Sequence, residues 1–210
     1  MKKTILIIAL ILFAISAIAQ TKIDTVISNA AYKSYYCKAI KEPLYVSYKL
    51  YKGGGDCDRA GFRFKNDTKL NTATQKDYAA TGYDQGHLAN AEDFASDCVK
   101  DEATFRFYNC LPQTANLNRG IWKKWETVIR KESQSDSLLV ICGGTFENKK
   151  VIGDGVWVPT YCWKIVISLS SHKVLHCLYF TNNENAECKE ITLTELIKTV
   201  KYKIQLPKIN

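Results

Sequence analysis

The sequence predicts an α+β fold with a central antiparallel sheet and a few helices. Three observations support this. Several short stretches are rich in β-branched and aromatic residues, or alternate apolar with polar ones, as strands do. Two other stretches repeat apolar residues at helical spacing. The two kinds do not alternate regularly along the chain, which argues against a parallel β/α/β arrangement.

Residues 43–51 form the first expected strand, with Leu44, Val46, Tyr48 and Leu50 on one face. The loop Lys52-Gly53-Gly54-Gly55-Asp56 ends it. A short strand carrying Phe62 and Phe64 is expected over residues 60–65, and irregular chain over residues 66–80. A helix should open near Asn118, with Ile121, Trp122, Trp125, Val128 and Ile129 as its apolar stripe. Asn118, Trp122, Glu126 and Arg130 lie at successive four-residue steps and should form one drifting row along it. Residues 137–142 read as a buried strand ending at Gly143-Gly144. Two more strands, residues 163–169 and 174–180, flank a turn at Ser170-Ser171-His172-Lys173 and suggest a hairpin. Thr192-Leu193-Thr194-Glu195 fits a capping box, so a C-terminal helix follows through Leu196, Ile197 and Val200.

The amino terminus reads as a targeting segment. Lys2 and Lys3 precede an apolar run over residues 5–15 that ends at Ala17-Ile18-Ala19, a small-x-small cleavage pattern. We expect a signal peptide over residues 1–19 and one domain over residues 20–210, exported to the periplasm or the medium. A membrane anchor is the competing reading, but the run is short for a spanning helix. Eight cysteines behind an export signal point to disulfides, up to four, with the pairing open. Each bridge would add roughly 2–4 kcal/mol. None shows C-x-x-C spacing, which disfavours a zinc ribbon or a thioredoxin-type motif. The formal net charge of +8 includes the two lysines of the leader. A basic chain is attracted to polyanions, although solubility alone can account for such a charge.

The chemistry-bearing residues are individually unremarkable. Of three histidines, His172 falls in the expected turn and His176 in a strand, where structural roles suffice. His87 follows Tyr83-Asp84-Gln85-Gly86, whose glycine allows a close backbone approach or an unusual turn. Taken singly, His87 is a hydrogen-bonded structural residue and Asn118 a helix cap. Glu126 and Arg130 would be an exposed ion pair.

Together these segments resemble the DNA/RNA non-specific endonuclease family, the ββα-metal nucleases. The family signature Asp-Arg-Gly-His-Leu-Ala-Pro-Ala appears as Asp84-Gln85-Gly86-His87-Leu88-Ala89-Asn90-Ala91. A second block, Asn-x-x-Pro-Gln and then Asn-Leu-Asn-x-Gly-x-Trp, is matched from Asn109 to Gln113 and from Asn116 to Trp122. Val158-Pro159-Thr160 before Trp163-Lys164 is a weaker echo. The resemblance implies an embedded ββα-metal motif that hydrolyses DNA and RNA. His87 would be the general base, and Asn118 the direct ligand of a divalent cation, Mg²⁺ or alternatively Mn²⁺. Glu126 would hold waters of the cation's hydration shell, Asn109 would order the site, and Arg130 would contact phosphate. Gln85 and Arg119 would also meet the substrate.

Two positions depart from the signature. Gln85 replaces its arginine and cannot make a charged, forked contact to phosphate. Arg63, Arg119 or Lys123 could supply that charge. The alternative is a catalytically weakened homologue that binds nucleic acid or a partner without cutting. Asn90 replaces the proline, which reads as a backbone detail. Helix-turn-helix, zinc-finger and RNA-recognition motifs are not seen, so contacts to phosphate and sugar rather than bases are expected, with no demand for a 2′-hydroxyl.

Overall fold

Near-continuous apolar runs such as Leu138–Thr145 and Tyr161–Ser168 suit strands covered on both faces. A computed structural model describes residues 21–209, so the leader expected at residues 1–19 lies outside the described chain. The strands are β1 (Thr25–Ser28), β2 (Lys33–Cys37), β3 (Glu42–Leu50), β4 (Tyr83–His87), β5 (Cys110–Thr114), β6 (Leu138–Thr145), β7 (Val151–Ile152), β8 (Val156–Trp157), β9 (Tyr161–Ser168), β10 (Val174–Thr181) and β11 (Cys188–Glu190). Seven of them form one antiparallel sheet in the order β1-β2-β3-β6-β9-β10-β11. β4 and β5 pair separately, as do β7 and β8. The helices are α1 (Gln75–Tyr78), α2 (Cys98–Ala103), α3 (Lys123–Glu132) and α4 (Leu193–Thr199). The fold is α+β, with the ββα unit made by β4, β5 and the helical segment that leads into α3.

The two neighbours Trp163 and Lys164 show how the central sheet is covered. The Trp163 indole donates to the Tyr202 hydroxyl at 3.1 Å, on the face closed by the C-terminal chain. Lys164 points to the other face, where its ammonium sits 3.7 Å from the centre of the Trp122 ring. Both side chains are fully buried. The β9–β10 hairpin and the Thr192–Glu195 capping box are present as the sequence predicts. His176 bridges Glu132 at 2.9 Å and Glu190 at 3.2 Å, which ties the end of α3 to β11.

Several expectations are corrected. Only one disulfide, Cys57–Cys98, occurs among the described residues, and the other six cysteines are free. Strand register explains this. Cys37 lies opposite Glu42, Cys110 opposite His87, Cys142 opposite Lys164, Cys162 opposite Gly144, Cys177 opposite Ile165 and Cys188 opposite Phe180. No cysteine faces another across a ladder, as a cross-strand bridge needs. The expected strand at residues 60–65 is a loop with a single bridge from Lys65 to Arg106. Asp58 caps the Ala60 amide and Phe62 turns back on Arg59, which takes both amides away from any ladder. Within the stretch expected to be irregular, Thr74 and Asp77 form a capping box that starts α1.

The helix near Asn118 also differs. Residues Leu117–Trp122 turn widely, and Gly120 adopts non-helical angles, φ −100° and ψ −110°. The regular helix begins only at Lys123. Asn118 is therefore out of line with Trp122, Glu126 and Arg130. Glu126 and Arg130 do not form an exposed pair either, because each has its own partner.

Candidate active site

The β4–β5 pair aligns Asp84 with Gln113, Gly86 with Leu111 and His87 with Cys110. Gly86 is required by packing: a side-chain carbon there would overlap the Gln113 amide. Beyond His87 the strands stay locked by Asn109. Its backbone oxygen accepts the Leu88 amide at 2.8 Å. Its side-chain oxygen accepts the Ala89 amide at 2.9 Å, and its nitrogen donates to the carbonyls of Ala89 and Thr104 at 3.0 and 2.8 Å. Asn109 is fully buried. It can order the backbone beside His87 but cannot reach a substrate.

The helical segment is fastened to this hairpin at two points. The Trp122 indole donates to the His87 carbonyl at 3.2 Å. Asn118 Nδ2 donates to Asp84 Oδ2 at 3.0 Å. A carboxylate only accepts, so the amide nitrogen must face Asp84, and Asn118 Oδ1 is left as a free oxygen donor. Arg119 closes on the same carboxylate in a fork, Nε to Oδ2 at 2.8 Å and Nη2 to Oδ1 at 2.6 Å. Arg119 first, and Asn118 after it, hold the Asp84 carboxyl below the usual carboxylate range.

His87 lies between aromatic rings. Phe64 is 4.6 Å away centre to centre, and Phe105 meets it edge-on at 4.7 Å. The Nε2 atom is buried without a hydrogen-bond partner. Burial, and then the nearby Arg59, pull the imidazole down to about 3, so the ring is neutral at neutral pH. Arg59 is itself held by Asp101 and Glu92, each at 2.7 Å.

Glu126 and Arg130 face the same region from α3. Glu126 is almost fully buried, and Lys164 Nζ lies 3.9 Å from its Oε1. Burial raises the Glu126 carboxyl, and Lys164 opposes that shift. Arg130 Nε donates to Asp93 Oδ1 at 2.8 Å and Nη2 donates to Asn90 Oδ1 at 3.2 Å. The remaining guanidinium N–H groups have no partner in these two contacts. Replacing Lys164 by Met should destabilise the fold by about 3–5 kcal/mol, because it leaves a buried carboxylate uncompensated. Much of that loss should return in the neutral double variant Lys164→Met/Glu126→Gln. Denaturant unfolding of the two proteins checks this, and equal midpoints would refute the pairing.

The predicted site residues thus occupy one neighbourhood built by β4, β5 and α3. Gln85 is turned to Gln75 at 2.9 Å. Of the three cations considered to replace the signature arginine, Arg63 donates to carbonyls of its own loop and Lys123 is exposed. Arg119 alone lies beside Asp84. Sequence reasoning missed Phe64, Phe105, Arg59 and Lys164, because ring packing and charge at a distance leave no local spacing. Among the described residues, no group of three or more His, Cys, Asp and Glu side chains converges as a metal cage. The oxygens of Asn118 and Glu126 fit a hard cation held through few protein atoms and mostly by water.

Comparison with known proteins places the chain in a family and matches its fold. Residues 14–208 match the family model described as DNA/RNA non-specific endonuclease. A nuclease of Nostoc sp. is 36% identical over 95 residues, 45% of this chain and 35% of that protein. Mitochondrial endonuclease G of Bos taurus is 28% identical over 173 residues, 74% of this chain and 56% of that protein. The chain thus spans about half, or less, of the length of these relatives. The solved complex of EndoG with EndoGI contains a chain of the same fold, with a TM-score of 0.70 and 23% identity over 83% of this chain and 82% of that one. With its His87 strand pinned to the Asn118 segment and the family model matching nearly its whole length, this chain belongs to the DNA/RNA non-specific endonuclease family.

Proposed function

We propose that this protein is an exported endonuclease that cuts DNA and RNA without reading sequence, using a divalent cation, Mg²⁺ or Mn²⁺. The observation that carries the reading is the Asp84–Asn118 contact. It turns the amide oxygen of Asn118 outward as a cation ligand, on a segment tied to the His87 strand. When bound, the cation neutralises charge on the scissile phosphate and stabilises the leaving oxygen. His87, neutral and with a free ring nitrogen, accepts the proton of the attacking water. Asn109 keeps that strand in place. Glu126 accepts hydrogen bonds from waters of the cation's shell. Arg119 and the free edge of Arg130 meet phosphate oxygens, and Gln85 can donate one neutral hydrogen bond.

A second reading has one observation in its favour. Gln85 removes the signature's charge, which suits a homologue that binds nucleic acid or a partner without cutting. The two readings separate in one assay. Purified protein should degrade plasmid DNA and RNA in Mg²⁺ and stop in EDTA. Binding without cutting would favour the second reading, and undiminished cutting in chelator would refute the cation's role. Export is tested by amino-terminal sequencing of the secreted protein. The expected start is Gln20, and an intact Met1 would overturn it. Among the described residues no helix is long and apolar enough to cross a membrane.

A further inference from the structure

Asn90 stands where the family signature carries proline, and its backbone keeps a proline-compatible shape, φ −70° and ψ 132°. Backbone conformation therefore gives no reason for the amide side chain. Its contacts do. Oδ1 accepts the Glu92 amide at 2.7 Å and Arg130 Nη2 at 3.2 Å. One amide, three residues past His87, thus holds the guanidinium of Arg130 on α3.

We propose that Asn90 is a positioning residue that orients Arg130 toward the His87 strand. Arg130 is fixed on two edges, by Asp93 at Nε and by Asn90 at Nη2, so its remaining N–H groups take one direction. A proline at this position fits the backbone but supplies no acceptor for Arg130. The assignment rests on the nuclease reading given above.

The test is Asn90→Pro, which suits the local φ, with Asn90→Ala as a second variant. Misplaced catalytic side chains should lower kcat on DNA by roughly 10²-fold while KM changes far less. The effect must also depend on its target. In an Arg130→Ala background, the further loss from Asn90→Pro should shrink to a fewfold change, as for residues acting as one unit. A kcat within about twofold of wild type in both variants would overturn the proposal. So would an equal loss in every background, which is the signature of a general structural role. Should the wild-type protein cut nothing in Mg²⁺, the nuclease reading is what fails. The Asn90 contacts are then read from unfolding midpoints of Asn90→Pro, Arg130→Ala and the double variant. Non-additive midpoints support the contact, and additive ones refute it.

Discussion

Replacing His87 by Ala is expected to lower turnover on plasmid DNA by about 10²–10⁴-fold, the range for loss of a general base. The reason is specific to this pocket. Phe64 and Phe105 dehydrate the ring, and Arg59 adds positive charge nearby, so the imidazole stays neutral and ready to take a proton. The same burial has a second consequence. In the unfolded chain His87 binds its proton near 6.5, but in the folded protein only near 3. Between those values the unfolded state holds the extra proton, so this side chain makes stability fall as pH drops from about 6.5 toward 3. His87→Ala should therefore lose activity yet become less acid-sensitive in denaturant unfolding. A near-normal rate would remove His87 from the chemistry. Unchanged acid sensitivity would mean that the ring is not held neutral.

If Asn118 is the proposed cation ligand, replacing Asp84 by Ala should raise the Mg²⁺ concentration needed for half-maximal activity by about 10–100-fold, as for a residue that orients a metal ligand. Asp84 never needs to touch the cation for this. It accepts from Asn118 Nδ2 and so fixes which end of the amide is presented. It also anchors Arg119, whose guanidinium is otherwise largely exposed. Without the carboxylate the amide can rotate and the arginine is released. A metal titration measures the shift, and wild-type half-saturation in the variant would sink the orientation argument. Arg119→Ala separates the two duties. It should leave the metal requirement near wild type and weaken nucleic-acid binding in a salt-dependent way, since it removes the proposed phosphate contact.

Much of this site was legible from residue order alone. The spacing of His87, Asn109, Asn118, Glu126 and Arg130 singled out the segments that the fold brings together. Gly86 was legible in part, as a glycine allowing a close approach or an unusual turn, and the structure shows the close approach, to Gln113. The strands at residues 138–145 and 161–181 could be read because a sheet covered on both faces leaves long apolar runs. β4 and β5 lack that pattern. Their sequences, Tyr83–His87 and Cys110–Thr114, are short and mixed, and they are strands because they pair with each other beside the main sheet.

The cysteines show the opposite case. Their even number behind an export signal pointed to several bridges, yet the register sets each sheet cysteine opposite some other residue. Asn90 is similar: it read as a backbone detail, and its side chain meets Arg130 on a helix 40 positions away. The sequence alone determined the α+β class, the two motif blocks and the family, because periodicity and motif spacing are local properties. Only the tertiary structure decided the free cysteines, the aromatic walls of His87, the Asp84 clamp on Asn118, the Lys164 neighbour of Glu126 and the Asn90 hold on Arg130. Each of these depends on which side chains meet across distant segments, and burial, charge pairing and hydrogen-bond direction act through space rather than along the chain.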